Sequence, residues 1–161
     1  MATNISDQVQ QSWDEIGAIK VSESHPQTLT VNHQTDRFEA ELVAIDTMSC
    51  RVLTVRVVTQ RFCNVSSAEL RQTADQLASQ LIYLLEPIAP IEVDEDHSTV
   101  QMRSNPPHRD GKGTEYFELL VSRTGLSLCR YHQPADGLRS IIATGLTREI
   151  VGRLASDFLL E

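Results

Sequence analysis

The chain is short of cysteine, lysine and aromatic residues and has no long apolar run, and each shortage removes a class of protein. Three cysteines in 161 residues, Cys50, Cys63 and Cys129, are odd in number and far apart. They fit neither a disulfide framework nor a CxxC pair for metal or redox chemistry, so thiols, mostly buried, are expected. Cys50 and Cys63 each lie near an arginine, Arg51 and Arg61, the kind of neighbour that favours a thiolate. The longest apolar stretch, Leu81-Ile82-Tyr83-Leu84-Leu85, falls well below the roughly 20 residues of a membrane-spanning helix, and no membrane partner is expected. The opening MATNISDQVQQSWDEIG carries acids and amides where a secretory signal carries a basic start and an apolar segment. The expected location is therefore cytoplasmic. With 40% apolar residues, 7 Gly and 6 Pro, the composition is neither collagenous nor low-complexity. A chain of this length can bury one continuous core. Residues 1–161 are expected to form a single α+β domain, with 1–25 as an N-terminal helix and linker.

What is present is an acidic surplus, unevenly placed. The net charge is −8; residues 1 to 96 hold 15 acidic and 6 basic side chains, residues 97 to 161 hold 7 and 8. Nucleic-acid binding is driven by lysines and arginines that neutralise phosphates, so no nucleic-acid partner is expected; a basic partner, or solubility alone, suits this charge. Of the 14 basic residues only Lys20 and Lys112 are lysine. Arginine favours fixed planar pairing with carboxylates, although genome base composition explains the bias equally well.

Apolar spacing places the elements. Ile5, Val9, Trp13 and Ile16 recur at helical spacing, which predicts an amphipathic helix at about 5–19. Residues 28–33, 37–46 and 50–59 read as three strands of an antiparallel meander, the second alternating Glu39 and Glu41 with Phe38, Ala40 and Leu42. Ser66-Ser-Ala-Glu69 has the form of a capping box and opens a helix predicted over 67–86, stopped by Pro87. Short strands follow at 90–95 and 99–103. Two Pro and two Gly make 104–114 an irregular loop. Strands at 115–123 and 126–132 form a hairpin, 139–143 reads as an edge strand, and a helix at 147–160 closes the chain, capped by Thr147. The expected architecture is an antiparallel sheet of about six to eight strands with amphipathic helices mainly on one face.

This order of elements, together with the small size and the acidity, resembles the type III secretion chaperones, from which the chain departs by its extra strands between 90 and 143. The resemblance implies a small acidic homodimer that holds an extended segment of a partner protein. It carries no motif, so it assigns no binding residue.

There is no GxSxG and no cysteine in a nucleophile motif. Gly111-Lys112-Gly113 lacks the strand, spaced glycines and helix of a phosphate cradle. Glu92, Asp94, Asp96 and His97 offer ligands for a hard cation, but the central glycine and closing glutamate of a calcium loop are missing; a solvated turn is the expected role, and no metal or cofactor is expected. Arg103, His108, Arg109 and Lys112 form the one local basic cluster, able in principle to hold a carboxylate or phosphate. His25, His33 and His132 share no spacing and read as surface residues. Trp13, with Val9 and Ile16, either docks a partner or packs within the fold. The leading expectation is a non-enzymatic partner-binding, regulatory or chaperone-like domain, self-associating as a homodimer or receiving another protein. Its rival is a small-molecule or anion site, or a weak enzyme, on the 104–114 loop.

Overall fold

The computed structural model describes residues 4–159. Among the described residues, three α-helices and ten strands, all paired antiparallel, give an α+β fold in the expected order. The described residues group into two compact units, one formed by those up to Val58 with those from Ala143 on, the other by Thr59–Ile142.

In the first unit, α1 (Ile5–Gly17) begins where the Asn4 side chain accepts the Ser6 N–H at 2.8 Å, satisfying one of the donors left open at a helix start. Its buried positions, Ile5, Val9 and Trp13, are four apart and so share one side of the helix. That side lies against α3 (Arg148–Leu159) and β1 (Gln27–His33). Gly152 lets the two helices approach, since a Cβ there would stand 3.1 Å from Ser6 Oγ. The sheet runs β1, β2 (Asp36–Ile45), β3 (Ser49–Val58), β10 (Thr144–Thr147). Phe38, Ala40 and Leu42 of β2 are fully buried, and each is worth about 1.5–3 kcal/mol as a large side chain removed from water, less for the alanine. On the other face Glu39 is clasped by Arg37, at 2.7 Å, and by Arg56.

Arg148 pins α1 to the rest of this unit. Its backbone N–H donates to Met48 O at 2.9 Å, its guanidinium meets Gln10 and, at 2.9 Å, Asp14, and it lies 5.7 Å from the centre of the Trp13 ring. The Trp13 indole N–H donates to Asp46 O at 2.9 Å. Trp13 and Val9 are therefore already covered inside their own unit, and Ile16 is half-buried. A partner could reach the first two only by displacing this packing.

The second unit opens with α2 (Ser67–Gln80), whose capping box between Ser66 and Glu69 is formed as expected. Leu70, Ala74 and Leu77 are buried. The helix ends at Gln80 rather than Glu86: Leu81 still donates to Leu77 O at 2.9 Å, but a 3-10 turn over Ile82–Leu84 follows and Leu85 adopts a left-handed φ of 69°. Five strands come next in the order β9 (Ser140–Ile142), β8 (Gly125–Gln133), β7 (Gly113–Ser122), β5 (Thr99–Ser104), β4 (Ile88–Asp94), with β6 (His108–Asp110) also on β7. The count exceeds the expected six to eight for two reasons. The supposedly irregular 104–114 loop contains β6, paired His108 to Glu115 and Asp110 to Gly113, and the expected strand at 139–143 becomes β9 while a separate β10 precedes α3. The edge strand β4 carries Pro90, an irregularity in register at Ile91 and the charges of Glu92 and Asp94, all features that discourage pairing with another strand.

Gly113 makes the β6–β7 hairpin possible. Its φ is +136°, and a Cβ there would fall 2.3 Å from Gln133 O and 2.9 Å from Pro134 Cα. Both obstacles are backbone and cannot swing aside. Gly113→Ala should cost roughly 2–4 kcal/mol in urea unfolding, whereas Gly111→Ala, which meets nothing within 4 Å, should stay within about 0.5 kcal/mol.

Candidate functional site

Alternation along β7 sends Phe117, Leu119 and Val121 towards α2 and Tyr116, Glu118 and Leu120 to the opposite face. Glu118 is the unusual residue there: a carboxylate in an apolar run, 3% exposed. Burying a charge is costly unless donors replace the lost water, and three are supplied to one oxygen. Arg139 Nη1, Gln101 Nε2 and Arg103 Nε reach Glu118 Oε2 at 2.8, 2.9 and 3.0 Å. The two arginines also lie over aromatic rings. Arg103 lies 4.9 Å from the centre of the Tyr116 ring and Arg139 3.9 Å from that of Tyr131, and Arg139 also donates to Tyr116 Oη at 3.2 Å. Tyr116 and Tyr131 are register partners with centroids 5.9 Å apart. Beside them an open depression of about 320 Å³ is lined by Glu92, Asp94, Gln101, Glu118, Leu120 and Arg139.

The electrostatics hold each charge in one state. Burial alone pushes the Glu118 carboxyl up, but the bonds from Arg139, Gln101 and Arg103 together outweigh it and bring it below the usual carboxylate range. Its bond to Glu118 pushes Arg139 further above the usual arginine range. Burial raises the Cys129 thiol and the Tyr131 phenol, which also meet each other, and raises the Cys50 thiol to about 12. A general acid or base works best with a pKa near the working pH, and a cysteine nucleophile must be a thiolate. These groups have been moved away from both conditions.

The sequence-predicted residues are dispersed. Arg103 joins Glu118; His108, 3.6 Å from Asp110, lines a separate cleft; Arg109 and Lys112 are exposed on the β6–β7 hairpin. The four do not converge on a common point, because His108 and Arg109 leave opposite sides of β6 and Lys112 sits in the turn, its N–H bonded to Asp110 Oδ1 at 2.7 Å. The acidic turn is likewise self-contained. Asp94 accepts the backbone N–H of His97 at 3.1 Å and pairs with its Nδ1 at 2.8 Å, contacts that hold its carboxyl below the ordinary value, the backbone bond foremost. Among the described residues no three of Asp, Glu, His or Cys, Asp96 included, are placed to hold a metal ion. Sequence reasoning missed Glu118, Arg139, Tyr116 and Tyr131. For Glu118 a signal existed, since a lone carboxylate inside Tyr116–Val121 demands a partner; Arg139, read only as the first residue of an edge strand, offered none.

No protein-family model, curated protein or solved structure matches the chain.

Two outcomes follow from these charges. Because the carboxyl of Glu118 is lower in the folded than in the unfolded chain, it contributes stability above about pH 4 that is lost as pH falls through the folded value. Glu118→Gln should lower the unfolding free energy measured in urea at pH 7 by about 2 kcal/mol or more as a charge is removed from a buried pair, and should flatten the decline between pH 5 and pH 2; an unaltered decline would show that other carboxylates set it. In the native protein at pH 8, a disulfide reagent should modify one thiol promptly, the exposed Cys63, with Cys50 and Cys129 reacting only on unfolding.

Proposed function

We propose that the protein is a non-enzymatic, protein-binding domain of the cytoplasm whose working surface is the face of the second unit carrying Glu118, and that it self-associates through this face as a homodimer. The observation that carries the reading is the set of side chains gathered there. Tyr116, Tyr131, Arg103 and Arg139 are of the types that supply most binding energy at interfaces, and they are pre-ordered by stacking and by Glu118, so little freedom is left to lose on association. Leu120 and Ile141 remain 37% and 44% exposed on the same face. Carboxylates of Glu92 and Asp94 lie on the β4 side and Arg139 enters from the β8–β9 side. A two-fold axis would set these opposite charges against each other.

An anion site on the 104–114 loop is less well supported, because Arg103 is spent on Glu118 and Arg109 and Lys112 face solvent. The resemblance to type III secretion chaperones agrees with a small acidic dimer and adds no residue to the argument.

Light scattering across the micromolar range should give about twice the 18.0 kDa of one chain, and Leu120→Glu with Ile141→Glu should return it to the single-chain mass with unchanged circular dichroism. A wild-type particle of 18.0 kDa at every concentration would overturn the homodimer.

A further inference from the structure

A different feature of the second unit, which does not rest on that reading, lies where α2 ends and the chain turns into β4. A cleft of about 500 Å³ opens there. Its walls are apolar, formed by Leu85, Pro87, Pro106 and Pro107. Its floor is charged. Arg130 Nη1 meets Glu86 Oε2 at 2.7 Å, and Arg130 Nε meets Glu115 Oε2 at 3.5 Å.

The floor is short of donors and of positive charge. Two carboxylates share one guanidinium, so one negative charge is left over. Glu115 is held loosely: besides the 3.5 Å contact, its other oxygen lies 3.7 Å from His132 Nδ1, both long for charge-assisted bonds. Glu86 Oε1 is buried and has no hydrogen-bond donor among the described residues, a condition that calls for an explanation. Arg130 cannot turn to a ligand, because it is 11% exposed, packed 4.7 Å from the centre of the Phe117 ring and committed to both carboxylates. An anion is thereby disfavoured, and a metal ion would lack a third ligand among the described residues. Leu85, 95% exposed and in a left-handed conformation that costs a non-glycine residue energy, stands on the rim as apolar surface without a protein partner.

We infer that this cleft binds an alkylammonium group, a primary amine on a short aliphatic stem, with the amine on Glu115 and the stem along Leu85 and the prolines. The half-exposed Glu115 supplies the accessible acceptor, Glu86 adds negative potential beneath it, and the apolar walls shield a methylene chain from water. Both a lysine side chain and a free diamine present this chemistry.

The full chain would be titrated with 1,5-diaminopentane and with Nα-acetyl-lysine N-methylamide, with Nα-acetyl-norleucine N-methylamide as the uncharged control, following backbone amide resonances. Saturable shifts centred on Glu86, His108, Glu115 and Arg130, with dissociation constants below about 10 mM, are expected for at least one amine. Affinity should fall about tenfold or more in Glu115→Gln, and norleucine should produce no such shifts. Tighter binding of the diamine would assign the cleft to free amines, and tighter binding of the capped lysine to a protein side chain. The inference is overturned if neither amine saturates, if norleucine binds as well as the amines in the wild-type chain, or if a folded Glu115→Gln binds undiminished.

Discussion

A carboxylate removed from water must be given donors, and the second unit is arranged around that need at Glu118. The residue cannot move to the solvent edge, because β7 is an inner strand paired on both sides. Its donors therefore come to it from β5, in Gln101 and Arg103, and from the segment before β9, in Arg139. Removing one partner of such a cluster leaves the others charged and unpaired, which is why buried ion pairs constrain structure more than they add net stability. The cluster thus fixes where the 134–139 segment lies, and with it which groups appear on the surrounding surface.

The first unit solves the same problem with fewer parts. Glu39 also projects from the polar face of its sheet and is also held between two arginines, one on its own strand and one on β3. Each unit begins with a helix that is followed by antiparallel strands, and each buries one sheet face while giving the other to an arginine-bracketed glutamate. The likeness is one of physical solution: a sheet covered by helices on one side has a second side whose charges must be neutralised in place.

Much of the fold was readable because period decides it. The three helices, the meander at 28–59 and the hairpin around Thr124-Gly125 follow from apolar spacing and from punctuation such as Ser66 and Pro87. What failed was local and has local causes. Leu81, Leu84 and Leu85 continue a helical apolar stripe, yet the helix has already ended, since apolar spacing cannot distinguish an α-turn from the 3-10 turn that follows it. The strand at 108–110 was hidden among turn-forming residues, whose hairpin depends on Gly113 meeting the end of β8. The candidate surface was less legible still. Arg103 was selected for its neighbours in sequence, but its partner lies across the sheet, and nothing in a linear pattern joins Glu118 to Arg139. Trp13 could be read as a docking residue because a sequence shows the apolar stripe and does not show what covers it.

The preference for arginine over lysine has a chemical consequence. Among the described residues, guanidinium groups lie within 6 Å of the ring centres of Phe62, Tyr116, Phe117, Tyr131 and Trp13, while the two lysine residues, Lys20 and Lys112, are exposed. A planar, delocalised cation can stack and fork at once, which an ammonium cannot. Acylating agents and amine cross-linkers would therefore decorate the protein without touching the groups that organise it. Dicarbonyl reagents, which condense with guanidines, would instead react at once with exposed groups such as Arg109, while Arg130, 11% exposed and packed over Phe117, stays masked until the native packing opens.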